Sequence, residues 1–217
     1  GSQVSLTASS AFSGSTVQNL AVAALGSSAL FLMYSSESCV RARRGQIQGN
    51  AIQWQAAEDV VADGACLEPG ALALIGVASN RVLFVAGTPK AKGAVSIITS
   101  NGGQGASWGR MEPLVQSDSG PGHEEPIMEV ACAMLRAGSP APAMIVFRQG
   151  SSVRVLWYTV TGNQLLKSSA QRQVNSVSSI PLSLSPVGPR VAALIYTDLG
   201  NSWQGAARVF ADLRCSL

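Results

Sequence analysis

The residues best suited to binding chemistry are three arginines, Arg41, Arg43 and Arg44, in one strand-like segment. Side chains alternate between the two faces of a strand, so Arg41 and Arg43 are expected to share a face. Guanidinium groups placed together bind phosphate, sulfate or carboxylate groups. The alternative is a solvated face on which these arginines pair with Glu58 or Asp59 and contribute little. Nucleic acid is not an expected partner, because few aromatic residues accompany the arginines.

A polar loop over residues 117–125 is the second candidate binding site, and it carries the only histidine of the chain. Its ionisable residues are Asp118, His123, Glu124 and Glu125. A Ser-His-Asp or Cys-His catalytic site would require His123, but a solvated loop histidine is the preferred interpretation. The loop would hold a cation weakly or respond to mild acid, and long polar loops in compact domains are often functional. We therefore predict no catalytic residue, no cofactor and no metal site.

The four cysteines, Cys39, Cys66, Cys132 and Cys215, are widely spaced. None forms a C-x-x-C pair, so the spacing of a structural zinc site is missing. Four cysteines allow three disulfide connectivities, of which a Cys39–Cys66 bond is favoured because both lie in the first repeat unit described below. An oxidising compartment, and hence a secreted or cell-surface protein, is predicted, with buried free thiols in a cytosolic domain as the alternative.

The composition is that of a globular chain, with 47% hydrophobic and 12% charged residues among 217. No apolar run reaches the length of about 18 residues that a membrane-spanning helix requires, so no membrane insertion is expected. The net charge of +3 is spread along the chain. Gly1 and Ser2 resemble the remnant of a purification tag.

The elements that would position these residues are short β-strands. Apolar runs bounded by Gly, Ser, Pro and Asn recur throughout, while helical periodicity is almost absent. The runs repeat in a fixed order, which divides the chain into units over residues 17–66, 67–126, 127–177 and 178–217. Each unit resembles a four-stranded meander whose first two strands are almost wholly apolar, and these two strands are predicted to be buried on both faces.

The fourth unit ends one strand short, and residues 3–11 show a strand-like alternation of their own. This N-terminal strand is predicted to complete the last sheet and close a ring, which would protect exposed strand edges. We therefore predict a single all-β domain over residues 3–217, a small β-propeller-like disc of about four antiparallel units, with a β-sandwich as the alternative. Residues 123–136 also fit a helix, but their position at the first strand of a unit favours a strand.

Two glycine-rich loops that end in tryptophan resemble the Asp box, the S-x-D-x-G-x-T-W turn of sialidase-like propellers. The matching residues are Asp198, Gly200, Ser202 and Trp203 in one loop, and Gly105, Ser107 and Trp108 in the other. Tyr196 replaces the leading Ser of the first, and Gly103 stands in place of Asp in the second. The two loops also fall at different strand positions within their units.

The resemblance implies a propeller fold and a structural role for these turns, in which a short side chain bonds the turn amides and glycine permits positive φ. The sialidase family also implies a Phe-Arg-Ile-Pro segment, three carboxylate-binding arginines, a Tyr nucleophile paired with Glu, and an acidic Asp. The nearest string, starting at Phe147, reads Phe-Arg-Gln-Gly and lies in the third unit. Sialidase activity is therefore not expected.

The sequence favours a non-enzymatic extracellular binding or adhesion module that recognises a protein partner through loops on one face. The alternatives are a glycan-binding lectin and a sialidase-like glycosidase, active or inactive. A central carboxylate cluster would favour the glycosidase, exposed Trp and Arg pairs the lectin, and an apolar patch the protein binder. Packing between sheets is the preferred role of the four tryptophans, Trp54, Trp108, Trp157 and Trp203, over sugar stacking.

Overall fold

The structure, a computed structural model, describes residues 12–13, 16–36, 39–62, 65–68, 70–88, 93–100, 106–115, 125–167, 172–175, 179–188, 191–198, 202 and 204–211. All regular structure in this part of the chain is β-strand, and no helix in it is long and apolar enough to cross a membrane. The strands form four antiparallel sheets and one small hairpin.

The sheets follow one another along the chain, each with its strands in sequence order. Sheet 1 contains β1 (Leu20–Leu25), β2 (Ala29–Ser35), β3 (Val40–Gln48) and β4 (Ala51–Trp54), and β5 (Glu58–Asp59) also pairs with β3. The hairpin of β6 (Val61–Ala62) and β7 (Ala65–Cys66) follows. Sheet 2 contains β8 (Leu72–Ala78), β9 (Arg81–Ala86), β10 (Ala94–Ser100) and β11 (Ala106–Trp108).

Sheets 3 and 4 complete the described fold. Sheet 3 contains β12 (Ile127–Met134), β13 (Ala141–Gln149), β14 (Ser152–Thr161) and β15 (Gln164–Lys167), and β16 (Arg172–Asn175) also pairs with β14. Sheet 4 contains β17 (Ser179–Gly188), β18 (Val191–Asp198) and β19 (Gln204–Ala211). Each sheet falls inside one of the four predicted units, and residues 127–134 form a strand as predicted.

The first strands of successive sheets lie beside one another, β1 against β8, β8 against β12, and β12 against β17. The starts of β1, β8 and β12 line one opening, and the ends of β8, β12 and β17 line another, so the inner strands run side by side in the same direction. This order of repeated sheets is that of a propeller-like disc, which confirms the predicted fold class. The alternative of a β-sandwich is wrong, because four sheets rather than two stack in series.

Apolar side chains fill three separate cores, one between each pair of neighbouring sheets. Core 1, between sheets 1 and 2, includes Phe31, Met33, Phe84 and Ile98. Core 2, between sheets 2 and 3, includes Leu83, Ile97, Phe147 and Tyr158. Core 3, between sheets 3 and 4, includes Met144, Val155, Leu194 and Tyr196. Alternation along β9 therefore sends Phe84 into one core and Leu83 into the next.

The prediction that the first two strands of each unit are buried on both faces holds only for the second strands of sheets 1, 2 and 3. All residues of β9 except Arg81 are buried, whereas all seven residues of β8 are half-buried. The physical reason is position, since each first strand has a paired strand on one side and faces the open axis on the other. Apolar composition alone does not distinguish these two environments.

Sheet 4 has three described strands, as the sequence predicts. The N-terminal strand predicted over residues 3–11 lies outside the described residues. Among the strands that the structure describes, β17 does not pack against β1 in the way that the other inner strands pack against their neighbours. The described sheets therefore form an arc with two ends, sheet 1 and sheet 4.

Candidate binding surface

Arg41 and Arg43 lie on the same face of β3, the face of sheet 1 that points away from sheet 2. Their cross-strand partners on β2 are Tyr34 and Leu32. Arg41 donates from Nε to a carboxylate oxygen of Asp59 at 3.1 Å, and both side chains are exposed. This exposed ion pair corresponds to the solvated interpretation of the arginine segment, for which the expected stabilisation is small.

Arg43 is held by backbone groups. Its Nε donates to the carbonyl oxygen of Gln55 at 2.7 Å, and its Nη1 donates to the carbonyl oxygen of Phe12. The Phe12 ring lies edge-on to Tyr34, with centroids 5.4 Å apart, and contacts Trp54 at 6.2 Å. The hydrogen bond from Arg43 therefore holds Phe12 against the outer strands of sheet 1.

Arg44 lies on the opposite face of β3, across from Phe31 of core 1. Its Nε is buried, and no acceptor for it lies within reach among the described residues. The adjoining recess, lined in part by Arg43, Gln55 and Glu58, has a volume of about 10 Å³. That volume is at the limit for one water molecule. The three arginines thus occupy three different environments, and a shared anion site on them stays a prediction.

The predicted polar loop reaches the described part of the chain only at its last residue. Asp118, His123 and Glu124 lie outside the described residues. The carbonyl oxygen of Glu125 accepts a hydrogen bond from Nε2 of Gln149 at 3.2 Å, and the next carbonyl, of Pro126, accepts from the amide of Gly150. The loop end is therefore attached to the turn between β13 and β14.

An opening of mixed polar and apolar lining, which we call the channel mouth, lies where three inner strands begin. Its volume is about 250 Å³, and it is lined by Asn19, Leu20, Ala71, Leu72, Met128, Glu129 and Val130. Leu20 is 54% and Met128 53% exposed, although both stand in strands. Glu129 forms an ion pair with Arg148 at 3.6 Å, which places charge beside these two apolar side chains.

Sequence reasoning missed the channel mouth, because apolar residues in strands were assigned to the core. The only available signal was that Leu20 and Met128 each stand near the start of the first strand of a unit. A second opening, of about 380 Å³, lies at the other end of the inner strands and is lined in part by Val77, Arg136 and Pro186.

The predicted disulfide between Cys39 and Cys66 is confirmed. The two Cα atoms are 5.6 Å apart, and the bond joins the start of sheet 1's third strand to the hairpin that follows the sheet. Cys132 is a free, buried thiol in core 2, and burial raises its pKa to about 12. Cys215 lies outside the described residues. A disulfide is compatible with a secreted or extracellular protein.

The two Asp-box-like loops join strands at different positions of their sheets, as the sequence indicated. One joins β10 to β11, the third and fourth strands of sheet 2, and the other joins β18 to β19, the second and third strands of sheet 4. Asp198 pairs with Gln204 across the second loop, and Ser202 has a φ of +54°. Gly105, Gly200 and Trp203 lie outside the described residues.

Two tryptophans contact the cores. The ring of Trp108 packs edge-on to Phe31 and Phe84 of core 1, with centroids 6.4 and 6.2 Å away. Trp157 packs against core 3. Both are therefore engaged in packing between sheets, as predicted.

No protein-family model matches the chain, and no curated protein matches it significantly. A solved structure of a protein from Lactobacillus plantarum is similar, with a TM-score of 0.51 and 14% sequence identity. The match covers 91% of this chain and 57% of the Lactobacillus chain. This similarity supports a propeller-like fold and does not establish membership of the sialidase or Asp-box family.

Proposed function

We propose that this protein is a non-enzymatic extracellular binding module that recognises a protein partner at the end of the disc that carries the channel mouth. The observation on which this rests is the exposure of Leu20 and Met128 beside the Glu129–Arg148 ion pair. Protein interfaces combine exposed apolar anchors with neighbouring charges in this way.

Glu125, the one described residue of the predicted polar loop, lies close to the channel mouth along the chain. Residues 117–125 precede β12, whose start lines the mouth. Loops supported by a rigid sheet framework are common recognition surfaces. The loop and the mouth are therefore proposed to contact the partner together.

An extracellular location is supported by the Cys39–Cys66 disulfide, because such bonds persist in oxidising compartments. A thiol assay on protein prepared without reductant tests this part of the proposal. Cys39 and Cys66 that do not react with the thiol reagent until the protein is reduced would support it. Two reactive thiols at these positions before reduction would contradict it.

A protein partner is favoured over a glycan or a glycosidase substrate by the packing of two tryptophans and by the residues that line the mouth. Trp108 and Trp157 pack against cores 1 and 3. Among the described residues, the one group of three closely spaced His, Cys or acidic side chains is Cys39, Asp59 and Cys66, and none of these lines the mouth. Among the described residues that line the mouth, Glu129 is the one carboxylate, and it is paired with Arg148, so this lining does not present the pair of carboxylates that a glycosidase uses.

The test is selection of binders from a random-peptide phage library against the immobilised protein, followed by affinity measurement. Met128→Asp is expected to weaken the selected peptides at least about tenfold, because it places a charge at the apolar anchor. Leu166→Asp is the matched control, since Leu166 is similarly exposed on β15 but does not line the mouth. An equal loss of peptide affinity in both variants would contradict the proposed site. Binding on a glycan array would favour the lectin, and cleavage of a fluorogenic sialoside would favour the glycosidase.

A further inference from the structure

The outer face of sheet 4 is uncharged over its described residues. It is formed by the residues of β18 and β19 that alternate with those in core 3, together with their partners on β17. The members are Ser183, Ser185, Val191, Ala193, Ile195, Thr197, Gly205, Ala207, Val209 and Ala211. Ile195 is 57% and Val209 69% exposed. An apolar sheet face of this kind is normally covered.

The corresponding face of each preceding sheet is covered by the next sheet. On the second strands, Phe31 of β2 packs in core 1, Leu83 of β9 in core 2, and Met144 of β13 in core 3. Ile195 of β18 continues this series with an apolar side chain and no described sheet beyond it. The outer face of sheet 4 therefore has the chemistry of a face that packs against another sheet.

The other end of the arc exposes apolar side chains too. Leu20 and Val22 on β1 share the face of Tyr34 and Leu32, which points away from core 1. Both are more than half exposed, whereas Tyr34 and Leu32 are buried. Phe12 covers the part of this face near Tyr34, and β1 is left open. The apolar part of the face is therefore at β1, while β3 carries Arg41 and Arg43 on the same side.

From these two faces we infer that two copies of this chain close into one ring, in which the outer face of sheet 4 of each copy packs on the outer face of sheet 1 of the other. Such a ring has eight sheets, which is within the range of four to eight known for propellers. The inference does not depend on the proposed function. Leu20 lies both at the channel mouth and on the outer face of sheet 1, whereas Met128 lies at the mouth and on neither face.

The area of the faces favours ring closure over a dimer made through sheet 4 alone. Three strands of about eight residues span roughly 26 by 14 Å, which is about 370 Å² of flat surface. A specific interface buries about 800 Å² on each partner. One face per copy falls well short, whereas in a ring each copy buries its sheet 4 face and an equal area on its sheet 1 side, Phe12 included, which is roughly 740 Å².

The first experiment is sedimentation equilibrium of the wild-type chain and of three variants, with circular dichroism to confirm that each is folded. The wild type is expected to be a dimer that dissociates reversibly on dilution. Val209→Asp on sheet 4 and Val22→Asp on sheet 1 are each expected to raise the dimer dissociation constant on the order of 100-fold, because each buries an unpaired charge. The control, Leu166→Asp, lies on neither face and is expected to remain dimeric.

Mixing the two charged variants separates ring closure from other assemblies. In a ring, one of the two contacts of the mixed dimer contains both substitutions and the other contains neither, so mixing is expected to restore part of the association. A dimer through sheet 4 alone would be insensitive to Val22→Asp, and that result overturns the inference. A monomeric wild type overturns it as well, and so does a mass that grows beyond the dimer, since head-to-tail contacts that do not close form filaments.

Discussion

Gly70 and Gly87 are in direct backbone contact where sheet 2 begins, and a β-carbon on Gly70 would collide with the carbonyl oxygen of Gly87. The amide of Gly87 also donates to the carbonyl of Ala71 at 2.8 Å, so the two segments are held together. Backbone atoms cannot move aside as the end of a flexible side chain can. Glycine at position 70 is therefore required by close approach.

Gly70→Ala is expected to lower the free energy of unfolding by about 2 kcal/mol, because the added methyl group overfills this contact. Gly205→Ala is the control, since a β-carbon there would meet no atom of the same chain within 4 Å, and both variants are measured at a concentration where the chain is dissociated. Urea denaturation followed by circular dichroism measures both. Equal stability of the two variants would show that the contact is looser than described.

Removing the disulfide is expected to destabilise the protein through the unfolded state. Cys39 and Cys66 are 27 residues apart, and closing a loop of that length corresponds to about 3.5 kcal/mol in the chain-entropy model. Denaturation of the double variant Cys39→Ser/Cys66→Ser should show a decrease of this size in the free energy of unfolding. The same measurement on the wild type with reductant should agree with it, and no change in either would contradict a formed bond.

Stability is expected to fall as the pH rises from about 9 to about 12. Burial raises the pKa of Cys132 from 9.0 to about 12, and burial, followed by the nearby charge of Glu112, raises the pKa of Tyr158 from 10.0 to about 12. Both groups stay protonated in the folded protein while they ionise in the unfolded chain. Their contribution to stability is therefore fully present below pH 9 and is lost as the pH rises from about 9 to about 12.

The variant Tyr158→Phe, measured together with Cys132→Ala, should flatten this alkaline decline. Thermal unfolding at a series of pH values is the measurement. Iodoacetamide should leave Cys132 unmodified in the folded wild type at neutral pH, and rapid labelling there would contradict its burial.

Arg43→Ala is expected to lower the free energy of unfolding by about 1.5 kcal/mol more than Arg41→Ala does. Arg43 donates charged hydrogen bonds to two backbone carbonyls, those of Gln55 and Phe12, whereas Arg41 makes one exposed ion pair with Asp59. Chemical denaturation in low and high salt compares them, and only the smaller effect of Arg41 should depend on salt. An equal decrease in the free energy of unfolding in the two variants would contradict the structural role of Arg43.

The repeated order of strands was predictable because turn residues and apolar runs recur at similar spacing, and this local information is enough to give four sheets in series. The Cys39–Cys66 pair was predictable because both cysteines fall in one unit. The exposure of β8 was not, because Leu72 and Leu74 have the composition of a buried strand and only the position of β8 beside the axis makes them half-buried.

The candidate site was less predictable than the fold. Clustered arginines are recognisable in a sequence as a candidate anion site. The sequence does not show that Arg43 donates to backbone carbonyls or that Arg44 faces core 1. The channel mouth depends on Leu20, Leu72 and Met128, which come from three units. Their proximity is a property of how the sheets stack, and no spacing along the chain encodes it.

The division of the interior into three separate cores implies that protection from hydrogen exchange is graded along the arc. In an array where each layer contacts only its neighbours, a middle layer loses two contacts on opening and an end layer loses one. Strands β9 and β13 each contribute to two cores, whereas β18 and β19 contribute to core 3 alone. In the dissociated chain, the amide protons of β9 and β13 are therefore expected to exchange more slowly than those of β18 and β19.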